Sequence, residues 1–107
     1  ACYLEQRGCR ITERNFRCKA GEIDLIAIDP AHKLVFVEVR SRASDRFGGA
    51  LSSVTPNKQR RVCNAASYYL LTHPQYRAHY CRFDVIALSK DKRSDGVEVN
   101  WIKAAFV

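Results

Sequence analysis

The sequence predicts an α/β fold in which helices flank a central mixed β-sheet. Its 107 residues, 47% of them apolar, are enough for one modest hydrophobic core. Apolar residues recur at strand spacing before residue 41 and after residue 81, and at helical spacing between. Because the predicted order is helix, strands, helix, strands, we expect residues 1–107 to pack as a single layered domain.

The chain opens with a short helix and a first strand. Ala1 to Arg7 is typical of the end of a helix, and Gly8 suits the left-handed residue that ends it. No capping residue precedes this helix, so we expect its start to lie upstream of Ala1. Cys9 to Phe16 alternates loosely between apolar and polar residues and predicts the first strand.

An antiparallel hairpin follows. Glu22 to Ile28 and Leu34 to Arg40 are rich in β-branched and aromatic residues, and the turn-forming sequence Asp-Pro-Ala-His-Lys separates them. Ser41 to Val54 is polar, contains two adjacent glycines and predicts a loop. One face of the hairpin is wholly apolar and predicts core residues: Ile23, Leu25, Ala27, Val35, Val37 and Val39.

A helix and two further strands complete the predicted fold. Thr55 is a favourable helix cap, Pro56 is a favourable first helical residue, and the helix should end near His73. Its apolar residues recur at helical spacing: Val62, Ala65, Ala66, Tyr69 and Leu70. The last strands are predicted over Arg82 to Leu88 and Val97 to Ile102, with a charged turn between them.

Two carboxylates are predicted to face each other across the hairpin. If its turn is centred on Ala31, Asp24 lies opposite Glu38 and Glu22 lies opposite Arg40. Directly opposed like charges destabilise a sheet by up to about 1 kcal/mol, and a cation between them removes that penalty. The alternative is that one carboxylate points to solvent or pairs with a nearby arginine.

A hard divalent cation fits this pair of carboxylates. Mg²⁺, or Mn²⁺ in its place, prefers carboxylates, a backbone carbonyl and several waters, and the carbonyl of Val39 is a further candidate ligand. Such an ion polarises a phosphoryl oxygen and lowers the pKa of a bound water that attacks phosphorus. We therefore expect Asp24, Glu38 and Val39 to bind Mg²⁺ or Mn²⁺.

The charge of the chain favours a polyanionic partner. Eighteen Lys and Arg against eleven Asp and Glu give a net charge of +7, although many soluble proteins are basic for solubility alone. The stretch from Arg40 to Arg61 carries most of the excess positive charge. It holds a single acid, Asp45, and six basic residues: Arg40, Arg42, Arg46, Lys58, Arg60 and Arg61.

The cysteines and the hydropathy pattern indicate a cytoplasmic location. The five cysteines form no CxxC pair, so neither a zinc site nor a disulfide framework is signalled, and a reduced interior explains them best. No apolar run approaches the roughly 20 residues of a membrane span. We expect no membrane association.

Two sequences in the hairpin carry a family resemblance. They are Gly21-Glu22-Ile23-Asp24-Leu25-Ile26-Ala27 and Phe36-Val37-Glu38-Val39-Arg40-Ser41-Arg42. Matching residues continue over nearly the whole chain: Tyr3, Leu4, Gly8, Asn15, Lys58, Ala66, Tyr69, Leu70, Arg82-Phe83-Asp84-Val85-Ile86, Ala105 and Phe106. They resemble the YraN-like family of uncharacterised bacterial proteins. That family is similar to the PD-(D/E)XK nuclease superfamily, especially to archaeal Holliday-junction resolvases.

This resemblance implies a restriction-endonuclease-like fold. It also implies that Asp24 and Glu38 are metal ligands and that position 40 holds the lysine of the superfamily. The chain has Arg40 there, which cannot act as a base because its pKa exceeds about 12, but which can hold a phosphate or stabilise charge in the transition state. Lys58, at the third position of its helix, could supply the lysine function, or it could be an ordinary surface residue.

Three further carboxylates, Glu5, Glu22 and Asp84, are not part of the predicted metal-binding pair. The superfamily's resolvase-like members carry a glutamate on the first helix, which the family pattern places just before Ala1, so Glu5 is assigned no role. Glu22 is expected to pair with Arg40 and orient it, with direct metal ligation as the alternative. Asp84, among apolar neighbours, is expected to be buried and hydrogen-bonded.

The sequence therefore predicts a metal-dependent nuclease, or a nuclease-like DNA-processing protein, that acts on branched, damaged or single-stranded DNA. The expected phosphate path is lined by basic residues: Arg40, Arg42, Arg46, Lys58, Arg60 and Arg61. An alternative is a nucleic-acid-binding module that kept the fold and lost catalysis, and a third is an interaction domain for an acidic protein. A homodimer is an open possibility, since some nucleases cut two strands symmetrically.

Overall fold

A five-stranded mixed β-sheet forms the framework of the protein. The computed structural model describes residues 2–42, 53–90 and 96–106. In chain order these residues form α1 (Cys2–Gln6), β1 (Arg10–Cys18), β2 (Gly21–Ile28), β3 (Leu34–Arg42), α2 (Pro56–Thr72), a 3₁₀ helix (Pro74–Tyr76), β4 (Cys81–Lys90) and β5 (Val97–Phe106).

The strands lie in the order β1-β2-β3-β4-β5. Neighbours run antiparallel, except that β3 and β4 are parallel. Parallel neighbours need a long crossover connection, and α2 lies in the one between β3 and β4. The predicted α/β fold with a mixed sheet is therefore confirmed.

Helices cover both faces of the sheet. On one face, Val62 and Tyr69 of α2 share a buried cluster with Phe36 of β3. On the other face, Leu4 of α1 shares a second buried cluster with Val37 of β3. The central strands are therefore buried on both sides, which explains why their sequences are nearly continuous apolar runs.

The turn between β2 and β3 fixes the register of the hairpin. Oδ1 of Asp29 accepts the N–H groups of Ala31 and Lys33, each at 2.9 Å. Leu25 then pairs with Val37, and the same register continues to the pair Ile28 and Leu34 next to the turn. This is the register expected from a turn centred on Ala31.

The start of α2 lies directly against β2. Oγ1 of Thr55 accepts the N–H of Lys58 at 3.3 Å and caps the helix, and Pro56 is its first residue, as predicted. At Gly21, an added Cβ would lie 2.1 Å from the carbonyl oxygen of Arg61. Glycine at position 21 therefore allows the first half of α2 to approach the sheet closely.

The structure corrects several predicted bounds. β1 is Arg10–Cys18 rather than residues 9–16, β5 continues to Phe106, and β3 includes Ser41 and Arg42, which we expected in the loop. Residues 43–52 of that predicted loop lie outside the described residues.

Ile23 was predicted to share a face with Leu25. It lies instead in the cluster on the α2 side, whereas Leu25 lies in the cluster on the α1 side. The alternation breaks at Asp24, where β2 leaves its pairing with β3.

The helices of the described residues give no transmembrane candidate. None of them is both long enough and apolar enough to cross a membrane.

Candidate functional site

The candidate site lies where β2 and β3 separate. Regular pairing of the two strands ends at Leu25 and Val37. Beyond this pair, the N–H of Asp24 donates to Oε2 of Glu38 at 3.1 Å, and the N–H of Val39 donates to Oδ2 of Asp24 at 2.9 Å. Each carboxylate is therefore held by the backbone of the opposite strand, and the structure brings the two predicted carboxylate ligands together.

The surroundings of Glu38 disfavour its charged form. The residue is only 5% exposed. The pKa of the Glu38 carboxyl is raised to about 7, mainly by burial and secondly by the charge of Asp24. Nη2 of Arg40 lies 3.5 Å from Oε1 of Glu38 and opposes the shift without cancelling it. The carboxylate pair therefore lacks a full counter-charge, which a divalent cation would supply.

A small basic cleft opens beside Glu38 on the α2 side of the sheet. Its volume is about 120 Å³. Residues distant in sequence line it: Glu22, Glu38, Arg40, Lys58, Arg61 and Val62. We name this surface the basic cleft. The predicted metal ligand Glu38 thus lies in the same cleft as three basic residues predicted to bind phosphate, which are Arg40, Lys58 and Arg61.

Arg40 has an unused donor in this region. Its Nε is buried and has no hydrogen-bond partner among the residues that the structure describes. A buried N–H without an acceptor costs roughly 1–3 kcal/mol, so this arrangement of the Arg40 side chain carries an uncompensated cost.

Glu22 does not pair with Arg40, contrary to prediction. Its Oε2 lies 3.6 Å from Nε of Arg17, and both side chains are largely exposed. Arg17 and Glu22 are direct partners in the register of β1 and β2, whereas β2 and β3 have already separated at this point. Glu22 still lines the basic cleft, but Arg40 is paired with Glu38 instead.

The remaining predicted basic residues differ in position. Arg60 and Arg61 are both exposed on α2, but only Arg61 lines the basic cleft. The guanidinium of Arg60 donates instead to Oδ1 of Asn57 at 3.0 Å. Arg42 is the last residue of β3, and Arg46 lies outside the described residues.

The ligand set determines which ions suit the site. Within residues 2–42, 53–90 and 96–106, no group of three or more His, Cys, Asp or Glu side chains is placed to hold a metal ion. Asp24 and Glu38 themselves offer only oxygen donors to a cation. This composition suits Mg²⁺ or Mn²⁺ and not a structural zinc ion.

Sequence reasoning missed a second cleft on the other side of Asp24. It has a volume of about 380 Å³, and its lining residues are Arg14, Asn15, Asp24, Leu25 and Val39. We name it the α1-side cleft, because Leu25 and Val39 belong to the cluster that packs under α1. The available signal was Asn15, since asparagine is disfavoured inside a strand.

Other chemistry-bearing residues have structural roles. Asp84 is fully buried, as predicted, and accepts hydrogen bonds from Arg82, from Trp101 Nε1 at 2.8 Å and from the N–H of Ala104 at 2.9 Å. Tyr68 of α2, in contrast, is 47% exposed.

Comparison with known proteins establishes the family. The model of the uncharacterised protein family UPF0102 matches residues 1–88. The UPF0102 protein of Ralstonia nicotianae is 50% identical, in a match that covers 97% of this chain and 77% of the relative. The UPF0102 protein of Alcanivorax borkumensis is 47% identical, over 99% of this chain and 83% of the relative. The UPF0102 protein of Herminiimonas arsenicoxydans is 50% identical, over 96% of this chain and 76% of the relative. The expected relationship to uncharacterised bacterial proteins is confirmed, and the chain belongs to the family UPF0102.

Proposed function

We propose that this protein is a metal-dependent nuclease of the PD-(D/E)XK type, with a restriction-endonuclease-like fold, that hydrolyses phosphodiester bonds in branched, damaged or single-stranded DNA. One observation carries the proposal. Asp24 and Glu38 meet where β2 and β3 separate, and Glu38 opens onto a cleft lined by Arg40, Lys58 and Arg61. Anionic ligands for a hard cation thus lie beside cationic groups for a phosphate.

The carboxylates would hold Mg²⁺ or Mn²⁺. When bound, this ion supplies electrophilic activation of the phosphodiester. Asp24 and Glu38 are pre-positioned for this role, because the backbone hydrogen bonds across the strand separation hold both side chains. The cation would also stabilise the ionised form of Glu38, whose burial otherwise favours protonation.

Arg40 and Lys58 would act on the phosphate. Arg40 cannot accept a proton at neutral pH, but its guanidinium can donate to a phosphoryl oxygen in the basic cleft, which Arg40 lines, as negative charge develops there. Lys58 lies in the first turn of α2, so its ammonium and the helix N-terminus both favour a bound anion. We therefore assign Arg40 and Lys58 the stabilisation of negative charge on the phosphate. We assign neither of them a proton transfer.

A second candidate is a nucleic-acid-binding module that lacks catalysis. The observation that favours it is arginine at position 40, where the resemblance implies lysine. The basic cleft would bind phosphate in either case, so binding alone does not separate the two functions. A homodimer and a cytoplasmic location remain predictions.

The test is cleavage of a panel of labelled DNA and RNA. Single strands, duplexes, forks and four-way junctions would be incubated with Mg²⁺, Mn²⁺ or a chelator. We expect cleavage of at least one branched or single-stranded DNA with metal, none with chelator, and none by Asp24→Asn or Glu38→Gln. Glu98→Gln, on an exposed position of β5, is the control and should cut like the parent. Metal-independent cleavage that survives both site substitutions would exclude the proposed mechanism.

A further inference from the structure

Asp24 lies at a point between two clefts. The basic cleft adjoins its partner Glu38 on the α2 side of the sheet, and Asp24 itself lines the α1-side cleft. The larger of the two, at about 380 Å³, is the α1-side cleft. This volume falls within the range of roughly 300–1,000 Å³ that is usual for small-ligand sites, so the cleft is large enough for a group the size of one nucleotide.

The lining of the α1-side cleft suits one unit of a nucleic-acid strand. Leu25 and Val39 supply apolar surface, which a base or sugar can contact. The Arg14 side chain is 53% exposed, and its ion pair with Glu5 is long, at 4.0 Å, so its guanidinium can exchange this partner for a phosphate.

Asn15 provides an independent observation. It lies between the paired residues Arg14 and Phe16, which places it opposite Asp24 across β1 and β2. Its backbone has φ 51°, a left-handed conformation that asparagine tolerates better than most residues. The irregular backbone occurs beside the candidate metal ligand. Asn15 lines the cleft, and its amide can both donate and accept hydrogen bonds.

We propose that the α1-side cleft binds the nucleotide next to the scissile phosphate. This inference rests on the proposed function and extends it. Arg14 holds the phosphate of that nucleotide, Asn15 hydrogen-bonds its base or sugar, and Leu25 and Val39 contact its apolar surface. The bound strand then crosses the separation of β2 and β3, with Asp24 beneath it and the basic cleft holding the phosphate on the other side.

The experiment measures the binding of a labelled single-stranded DNA oligonucleotide to the whole chain by fluorescence anisotropy, with chelator present and over a series of salt concentrations. Arg14→Gln should lower affinity about fivefold and make the salt slope shallower by about 0.7, the value for one lost phosphate contact on a single strand. Arg10→Gln is the matched control, because it removes the same charge from an exposed position of the same strand. It should bind within about twofold of the parent, since Arg10 lies away from the cleft.

Two variants of Asn15 test the amide. Asn15→Gly keeps a backbone that accepts positive φ and removes only the side chain, so it should fold normally, lose about threefold in affinity and keep the salt slope of the parent. Asn15→Asp keeps the shape of the side chain and adds a negative charge, so its affinity should fall further. Thermal unfolding would confirm that all variants are folded.

The outcomes separate this inference from the proposed function. If Lys58→Gln or Arg61→Gln weakens binding while Arg14→Gln matches Arg10→Gln, the inference is wrong and the proposed function stands. Parental affinity in Asn15→Gly would likewise overturn the role of the amide. If the parent protein binds no nucleic acid at low salt, both are wrong.

Discussion

Asp24 and Glu38 each accept a hydrogen bond from the backbone of the other's strand. Oε2 of Glu38 accepts the N–H of Asp24 at 3.1 Å, and Oδ2 of Asp24 accepts the N–H of Val39 at 2.9 Å. These bonds replace the backbone pairing that ends at Leu25 and Val37. Two like charges are thus held close together at a partly buried position, which reduces stability in the absence of a cation.

The first prediction concerns the pH dependence of stability. The pKa of Glu38 is raised from 4.5 to about 7 in the folded chain. Between these values the folded protein retains a proton that the unfolded chain releases, so stability should fall as pH rises through this window. The full loss above pH 7 is at most about 3 kcal/mol. Glu38→Gln should remove this dependence, since the amide stays neutral.

Urea denaturation of the parent and Glu38→Gln at pH 5 and pH 8 measures this effect. The parent should lose stability between the two values, and Glu38→Gln should lose less and be the more stable protein at pH 8. Identical pH profiles would show that the environment of Glu38 does not oppose its ionisation.

The second prediction concerns the close contact between Gly21 and α2. An alanine Cβ at position 21 would lie 2.1 Å from the Arg61 carbonyl oxygen, so the helix would have to move away from β2. We expect Gly21→Ala to destabilise the protein by about 1–3 kcal/mol and to weaken DNA binding, since Lys58 and Arg61 move with the helix.

Chemical denaturation and anisotropy would measure both effects of Gly21→Ala. Ala20→Ser is a suitable control, because it also adds one heavy atom but at an exposed neighbour. It should change stability by less than about 0.5 kcal/mol. Equal effects of the two substitutions would mean that the helix does not depend on this contact.

The third prediction concerns the buried network around Asp84. Its carboxylate accepts from Nε of Arg82 at 2.9 Å and from Nε1 of Trp101 at 2.8 Å, and Arg82 also contacts Asp29 at 3.0 Å. Asp84→Ala should cost about 3–5 kcal/mol, because it leaves Arg82, whose side chain is only 16% exposed, with only part of its counter-charge. The thermal midpoint should fall far more than in Glu98→Ala, which removes an exposed carboxylate from β5. A small, equal fall in both variants would contradict this role.

The fourth prediction tests whether arginine at position 40 supports catalysis. Arg40→Lys should retain or raise cleavage, since the ammonium keeps the charge. Arg40→Ala should lower cleavage by roughly a hundredfold, the order expected for loss of one charge-stabilising donor, without abolishing metal binding. Single-turnover rates with Mn²⁺ would measure this. If parent and Arg40→Lys bind DNA but cut none of the panel, the protein is a binding module.

Much of the fold and the centre of the site could be predicted from local sequence patterns. The Asp29 turn fixes the hairpin register, so the meeting of Asp24 and Glu38 followed from counting residues. The capped start of α2 was equally local, because Thr55 and Pro56 specify it.

The errors have a common cause, which is that tertiary contacts override strand alternation. Ile23 changes face at the point where β2 and β3 separate, and the same separation leaves Glu22 to pair with Arg17 of β1. The separation has no clear signal in a single sequence, and Asn15 signals only that the strand is irregular there. The α1-side cleft is lined by Asn15 and by Asp24, so it was not predicted from the sequence.

The most direct test of the central claim is the binding of Mn²⁺ to the whole chain at pH 7.5, followed by electron paramagnetic resonance. We expect the parent to bind one Mn²⁺, and Asp24→Asn and Glu38→Gln each to lose this site. Glu22→Gln should retain the Mn²⁺ site, because Glu22 lines the basic cleft with Glu38 but pairs with Arg17. Unchanged Mn²⁺ binding in Asp24→Asn and Glu38→Gln would contradict the assignment of this carboxylate pair as a metal site.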